Sequence, residues 1–515
     1  MRLRVAPTST APLVLLAAVT LVGCYRTNVR TEPDAGPPTP DAWRAPPPDA
    51  PLPDAWSPDA FVPVSECLRD RDCPSTGTFC IQDLSLAPRD LAAVPLRCGA
   101  PVGATTTGLE CDSNEQCDHG MCALGGGCLA PCVTDDDCFS DRTRLDLLER
   151  CTRVPVVTSD SALQFANACV RWSDTPAEIL ANEPIFVTRF TTERLPVEPL
   201  RSGARLVHYV ADARDDERFV SSITTSEGEV VFDAFGLGSE RQPLVVAPFL
   251  DFIPVLIPNG DRDFAVGTSF IAALETSRTT TYRRIVMDRT TFGTSLDLNF
   301  YYVGVRPPRA GEPPAIVQRM LRELEILFAA TSPDLRLGRM RHFVVPGATA
   351  RRFEFVEGDD EVGQLFLLSA GASRPSVNVF LIRSGADFLG ISGGAPGLMG
   401  VHGAQGSGIA IGLEDLESFL PMAPENQLGT VIGHELGHFT GLFHTTELDG
   451  TSVEPFADTP LCDLATNDLD GDGMLLPDEC TGAGAENVMF WGPFVPSPRF
   501  SARQARILQQ SMVLR

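Results

Sequence analysis

Two histidines four residues apart enclose a glutamate in the run Gly433-His434-Glu435-Leu436-Gly437-His438-Phe439-Thr440-Gly441-Leu442-Phe443-His444. On a helix, residues i and i+4 stand one turn above each other, so the imidazoles of His434 and His438 can share one ion. The carboxylate of Glu435 can then reach a water held by that ion. Gly441 can take the positive φ that ends a helix and turns the chain back, which brings in His444 as a third nitrogen. Three nitrogens with a fourth position left to water are the donor set of a catalytic Zn2+ site. There the ion acidifies the water and polarises a scissile carbonyl, while Glu435 takes the proton and later delivers it to a leaving amine. A lone histidine carries little information; the ordered set with its glycines and apolar flanks is specific.

This extended motif resembles that of the metzincin zinc proteases, and further residues resemble the pappalysin group within them. Asn487-Val488-Met489 resembles the Met-turn, which implies Met489 as an apolar floor beneath the zinc histidines. Asp458-Thr459-Pro460 and Cys462 also match that group, whose members often carry a disulfide there. Pro498 to Leu514 resembles the closing helix, with Ser501 as N-cap, Gln504 completing a capping box and Phe500 as a hydrophobic staple. The resemblance covers roughly Leu296 to Arg515 and implies a zinc endopeptidase. One position departs from it: where the family has tyrosine two residues beyond the Met-turn methionine, this chain has Trp491. An indole N–H can donate to an oxyanion, though with a different reach and no acid function.

Between His444 and Met489 lies an acidic loop, with Asp468, Asp470 and Asp472 at positions 1, 3 and 5, Gly473 at 6 and Glu479 at 12. At this spacing alternate carboxylates converge on one hard cation, so a single Ca2+ clip is expected. Pro460 and Pro477 break any flanking helices, and an acidic solvated turn is the alternative. The resemblance supports calcium, since pappalysin-like enzymes bind structural calcium in this region. Loop closure favours Cys462 pairing with its near neighbour Cys480 across the same segment.

The elements that must position these residues follow from periodicity. Leu296 to Val305, Leu335 to Val345 and Val377 to Ile382 read as strands, and a glycine-rich stretch from Gly385 to Gly412 ends in Gly408-Ile409-Ala410-Ile411. Pro313 and Pro314 open a helix with Ile316, Met320, Leu324, Leu327 and Phe328 on one side. A mixed sheet backed by helices accommodates them. The glycines carry no Gly-Lys-Ser/Thr and no strand-to-helix fingerprint, which argues against a nucleotide. Upstream, from Thr175 to about Thr294, short β-branched and aromatic runs broken by turn residues predict a small β-sandwich. Strand candidates there are Ile185 to Phe190, Arg205 to Val210, Glu229 to Phe235, Leu244 to Ile257 and Tyr282 to Met287. His208, on one of them, reads as structural.

Twelve of the fifteen cysteines lie between Cys67 and Cys169, in a region poor in apolar runs, so crosslinks must replace much of a core. Three C-x5-C units recur, Cys67/Cys73, Cys111/Cys117 and Cys132/Cys138. Without paired C-x2-C knuckles, disulfides confined to this region are expected rather than a zinc cluster. Arg97-Cys98-Gly99-Ala100-Pro101-Val102 resembles the cysteine-switch segment of matrix metalloproteases, but cysteine parity favours a disulfide at Cys98.

Arg2 and Arg4 followed by an apolar run from Ala11 to Val22 form a signal h-region too short for a comfortable membrane span. Its Leu21-Val22-Gly23-Cys24 ending resembles the bacterial lipoprotein signal, which implies cleavage before Cys24 and lipid on its thiol. Tyr25 in place of aspartate implies the outer membrane. Five Pro-Asp-Ala repeats between Glu32 and Pro63 then make an extended spacer. A net charge of -26, with every one of the 41 basic residues arginine, disfavours a nucleic-acid partner.

The expected chain is therefore multidomain: signal peptide 1–23, tether 24–63, disulfide-rich module 64–174, β-rich sandwich-like domain 175–294, and an α+β metzincin-like catalytic domain 295–515. Its partners would be a protein or peptide substrate outside the cytoplasm and a membrane reached through the lipid. A surface adhesion or binding lipoprotein with a vestigial metzincin domain is the competing reading; an intact Glu435 favours the enzyme.

Overall fold

The computed structural model describes residues 67–73, 78–82, 93–107, 109–134, 137–138, 148–157, 163–173, 176–187, 193–197, 199–200, 203–211, 218–233, 245–246, 252–257, 264–276, 279–309, 312–372, 375–386, 388–419, 427–452, 454, 456–492 and 498–515. The signal segment 1–23, the tether 24–63 and the lipidation candidate Cys24 lie outside these residues. No helix among the described residues is long and apolar enough to cross a membrane.

The C-terminal half is built on a five-stranded sheet of β1 (Ser295–Val303), β2 (Arg336–Val345), β3 (Val377–Ile382), β4 (Gly390–Ser392) and β5 (Ile409–Gly412), in the order β2-β1-β3-β5-β4. All neighbours are parallel except β4, which runs antiparallel to β5 along one edge. Parallel strands covered on both faces read as continuous apolar runs, and β1 follows this rule from Phe300 to Val303, after the buried polar residues Asp297 and Asn299. Leu296, Leu298, Phe300 and Tyr302 enter one core, while Tyr301 and Val303 enter another on the opposite face.

The first core holds two long helices, α1 (Ala315–Thr331) and α2 (Gln427–Thr440). Pro314 stands at the N-cap of α1, and Val317, Met320, Leu324, Leu327 and Phe328 form its buried face. Every residue of α2 is buried. Glycines at a four-residue interval along α2 let its neighbours come close. A Cβ on Gly429 would lie 2.4 Å from the Glu323 carbonyl carbon, and one on Gly433 would lie 2.4 Å from Leu327 Cδ2. The start of α2 is satisfied from outside the helix. The buried Glu323 carboxylate of α1 accepts the Gly429 N–H at 3.0 Å and is itself held by Arg319 at 2.6 Å, a favourable place for an anion.

The closing helix α3 (Ala502–Gln510) begins at Ser501, and both hydrogen bonds of the expected capping box with Gln504 are present. Short helices at Gly347–Phe353, Asp359–Phe366, Leu413–Phe419 and Leu464–Asn467 are additional to those expected from the sequence.

Upstream, two antiparallel sheets of five and four strands enclose one core that includes Val207, Tyr209, Val220, Ile223, Ile253, Phe270, Tyr282 and Val286. The predicted β-rich region is thus two facing sheets. Strands at Arg218–Thr225 and Phe270–Thr276 add to those read from the sequence. The other face of the five-stranded sheet sends Leu206, Leu256, Ile285 and Met287 into the core that also contains α1 and α2. His208 is fully buried on that sheet, and burial pushes its imidazole down to about 3. Nearby, Arg205 and Asp288, opposite one another in the strand register, form a fully buried bidentate pair at 2.7 and 3.1 Å.

Six disulfides staple the cysteine-rich region: Cys67–Cys80, Cys73–Cys98, Cys111–Cys122, Cys117–Cys128, Cys132–Cys151 and Cys138–Cys169. Within each successive set of four, the first cysteine joins the third and the second joins the fourth. The three C-x5-C units therefore open three copies of one device. In each copy the N–H after the first cysteine donates to the side chain just before the second: Leu68 to Asp72, Asp112 to Gln116, and Val133 to Asp137. Cys98 is bonded to Cys73, the disulfide alternative to the switch. The second copy docks on the C-terminal half: Glu110 pairs with Arg339 at 2.8 Å, and a Cβ on Gly125 would lie 2.6 Å from Ala372 Cα.

Candidate metal centre

Helix α2 ends as the motif requires. Gly441 has φ +110°, its N–H donates to His438 O at 2.8 Å, and the Leu442 N–H reaches back to Gly437 O at 2.9 Å. This Schellman pair satisfies the last carbonyls and turns the chain toward His444. The Nε2 atoms of His434 and His438 each stand 3.1 Å from Nε2 of His444.

What orients the rings is the opposite nitrogen of each. His434 Nδ1 donates to Val488 O at 2.6 Å, His438 Nδ1 to Leu442 O at 2.7 Å and His444 Nδ1 to the Glu447 carboxylate at 2.8 Å. With protons held at Nδ1, all three Nε2 atoms present lone pairs to one another, an arrangement that calls for a cation between them. Nitrogens tetrahedrally placed about 2.0–2.1 Å from zinc stand about 3.3 Å apart, close to the separation here. Burial, and then repulsion from the neighbouring imidazoles, lowers His434 well below the usual histidine range; the same causes push His438 down to about 3. Both rings are thereby kept in the neutral form that binds a metal.

Glu435 is fully buried between α2 and the antiparallel edge strand β4. A Cβ on Gly390 of that strand would lie 2.7 Å from both Cγ and Oε1 of Glu435, so glycine makes the room for the carboxylate.

Met489 lies fully buried against α2, where a Cβ on Gly437 would come within 2.3 Å of its sulfur. The turn carrying it is tied at several points. Asn487 Oδ1 accepts the Met489 N–H at 2.8 Å, Met489 O accepts the Thr445 N–H at 2.9 Å, and Asn487 Nδ2 donates to Gln504 Oε1 at 2.9 Å. Gln504 therefore serves the helix cap and the turn together.

Trp491 departs from its expected role. Its indole N–H donates to Leu475 O at 2.7 Å and its backbone N–H to Thr446 O at 3.3 Å, which commits the indole to tying the acidic loop and leaves no N–H to offer an oxyanion.

In the acidic loop, carboxylate oxygens of Asp468, Asp470 and Glu479 lie within 4.8 Å of one another. Asp472 is not in this group; its Oδ1 accepts the Met474 N–H at 2.8 Å. Gly471 and Gly473 have φ near +80°, and Glu479 closes the loop by accepting from Leu469 and Leu476. Cys462 and Cys480 are joined, as expected, and fully buried beside Leu475 and Phe490.

Sequence reasoning missed Glu447. The available signal was an acid three residues beyond the last histidine of the motif.

No protein-family model matches the chain, and no curated protein does. Among solved structures, it is similar to the catalytic unit of a thermostable GH87 alpha-1,3-glucanase from Streptomyces thermodiastaticus strain HF3-3, at 11% identity and a TM-score of 0.15. The likeness covers 42% of this chain and 39% of the glucanase chain, and at that TM-score it carries no argument about either fold or activity.

Proposed function

We propose that this chain is an exported zinc-dependent endopeptidase acting on proteins or peptides outside the cytoplasm. The observation that carries the reading is the convergence of three Nε2 atoms, each on a ring whose Nδ1 proton is held by a separate acceptor. His434, His438 and His444 would hold the metal. Bound there, zinc would polarise the substrate carbonyl and acidify a water. Glu435, for whose carboxylate Gly390 leaves the room, would act as the base that takes a proton from water and the acid that returns it to the departing amine. Met489 seals the underside of the histidines from solvent.

The resemblance to metzincins supports peptide bonds as the target, and seven disulfides are the mark of a chain that folds in an oxidising compartment. Asp468, Asp470 and Glu479 would hold a structural calcium, with Asp472 outside the cluster, and Cys24 would carry the lipid of an outer-membrane anchor. Trp491 acts as a tie between the acidic loop and the Met489 turn.

The test is cleavage of a broad peptide library by purified protein, before and after metal is stripped with a chelator and zinc returned. Cleavage that disappears on stripping and returns with zinc is expected; a stripped protein that still cleaves, or a zinc-loaded protein that cleaves nothing, contradicts the reading and favours a binding role.

A further inference from the structure

Among the three ligand rings, His434 and His438 sit on a buried helix and donate Nδ1 to backbone carbonyls. His444 lies beyond the end of that helix, and the acceptor of its Nδ1 proton is a side chain, the Glu447 carboxylate. We propose that Glu447 is the positioning residue of the third metal ligand, fixing the ring and tautomer of His444 so that Nε2 faces the other two. This inference rests on the zinc reading above.

Glu447 is itself well anchored. Its N–H donates to Thr451 O at 2.8 Å and its carbonyl accepts the Gly450 N–H at 2.9 Å, closing a tight turn in which Gly450 has φ +77°. Asp449 Oδ1 braces the turn by accepting from both the N–H and the hydroxyl of Thr451, at 3.0 and 2.7 Å. The turn is also pinned from the acidic loop, because the Leu475 N–H donates to Leu448 O at 2.7 Å. The same residue accepts the Trp491 N–H through its carbonyl. Leu475 thus joins the turn bearing Glu447 to the turn bearing Met489.

A carboxylate that accepts the second N–H of a ligating imidazole orients the ring and raises the basicity of the ligating nitrogen. The Glu447 side chain is 28% exposed, so water screens part of its charge and orientation is the larger effect. Glutamine, which can still accept from Nδ1, should therefore substitute well, whereas alanine should not.

The experiment measures zinc affinity of the full chain by competition with a chromophoric chelator, together with the visible absorption of the cobalt(II) derivative and the unfolding temperature of the metal-free protein. Glu447→Ala should bind zinc about 10–100-fold more weakly than wild type, with an altered cobalt spectrum and an unchanged metal-free unfolding temperature. Glu447→Gln should recover most of the affinity and the wild-type spectrum. Wild-type affinity in Glu447→Ala, or glutamine as weak as alanine, overturns the proposal. Should the alanine protein be recovered unfolded, Glu447→Asp asks the same question, since it keeps the charge but withdraws the oxygen by one methylene; it must then bind zinc more weakly than wild type. A wild-type protein that binds no zinc contradicts the zinc reading instead.

Discussion

At the residue scale, the histidines and the glycines around them are interdependent. His438→Ala removes one of three converging nitrogens and should leave a protein that retains no stoichiometric zinc after dialysis, measured by elemental analysis. Gly390→Ala tests a different requirement. Its new Cβ would fall 2.7 Å from the Glu435 side chain, which supplies its three nearest atoms. The variant should keep its zinc yet lose at least ~10²-fold in peptidase kcat, because the carboxylate must move and small misplacements of a catalytic group are costly. Equal kcat in variant and wild type would show that Glu435 does not work from this position. The motif residues were legible in the sequence because their chemistry depends on spacing along one helix and the glycine turn that ends it. Glu447 was not, since an acidic residue in a loop looks like any solvated side chain until a ring nitrogen is found beside it. Trp491 misled for a related reason: the sequence gives the donor but not the carbonyl that claims it.

At the element scale, the acidic loop and the first cysteine-rich repeats offer two tests. Calcium removal by a selective chelator should lower the unfolding temperature and the peptidase activity together with zinc still bound, and added calcium should restore both. Because Asp470 lies in the carboxylate cluster and Asp472 does not, Asp470→Asn should raise the calcium needed for half-recovery more than Asp472→Asn. Equal shifts would place the ion elsewhere or nowhere.

In the cysteine-rich region, His119 is buried between Asp118 at 2.7 Å and Asp70 at 3.1 Å. Burial opposes its charge, but hydrogen bonds and attraction from the two carboxylates prevail and raise it to about 9. Since the folded value lies above the unfolded one of about 6.5, the stabilisation is complete below pH ~6.5 and is lost as pH rises through about 9. Its full size is on the order of 2–3 kcal/mol, allowing for the half-exposed Asp70. Amide exchange around His119 should accelerate across that window beyond the intrinsic pH effect, and His119→Gln should flatten the dependence. Helix α3 and its cap were readable from Ser501 and Gln504, a local signal. The strand Arg218–Thr225 was not, since Ser221, Ser222, Thr224 and Thr225 interrupt its apolar alternation and it is defined by pairing with Val230–Asp233 on one side and Phe270–Thr276 on the other.

At the scale of the whole molecule, the described regions from the disulfide-rich module onward are packed together rather than strung out. The five-stranded sheet of the β-rich region is covered on one face by its partner sheet and on the other by the core around α1 and α2. Leu124, Leu163 and Phe165 of the disulfide-rich region join the core on the opposite side of the β1 sheet. Composition could show that the upstream regions were β-rich and crosslinked, but not that they lean on the C-terminal half, because such contacts leave no periodicity of their own. The threefold 1–3, 2–4 disulfide order was likewise hidden, although the repeated C-x5-C spacing announced the units. For the exported chain, mass spectrometry of the mature N-terminus should find lipid-modified Cys24 with nothing preceding it; an unmodified terminus elsewhere would remove the anchor.

The most direct measurement of the central claim is peptide hydrolysis by Glu435→Gln beside wild type, with the zinc content of both preparations determined in the same samples. Glutamine keeps the shape of the side chain but cannot take the proton from water. The variant should therefore hold one zinc per chain, as wild type does, while its kcat/KM falls by several orders of magnitude, on the order of 10³-fold or more. Wild-type hydrolysis by a zinc-loaded Glu435→Gln protein would contradict the assignment of Glu435 as the base and, with it, the proposed chemistry of the site.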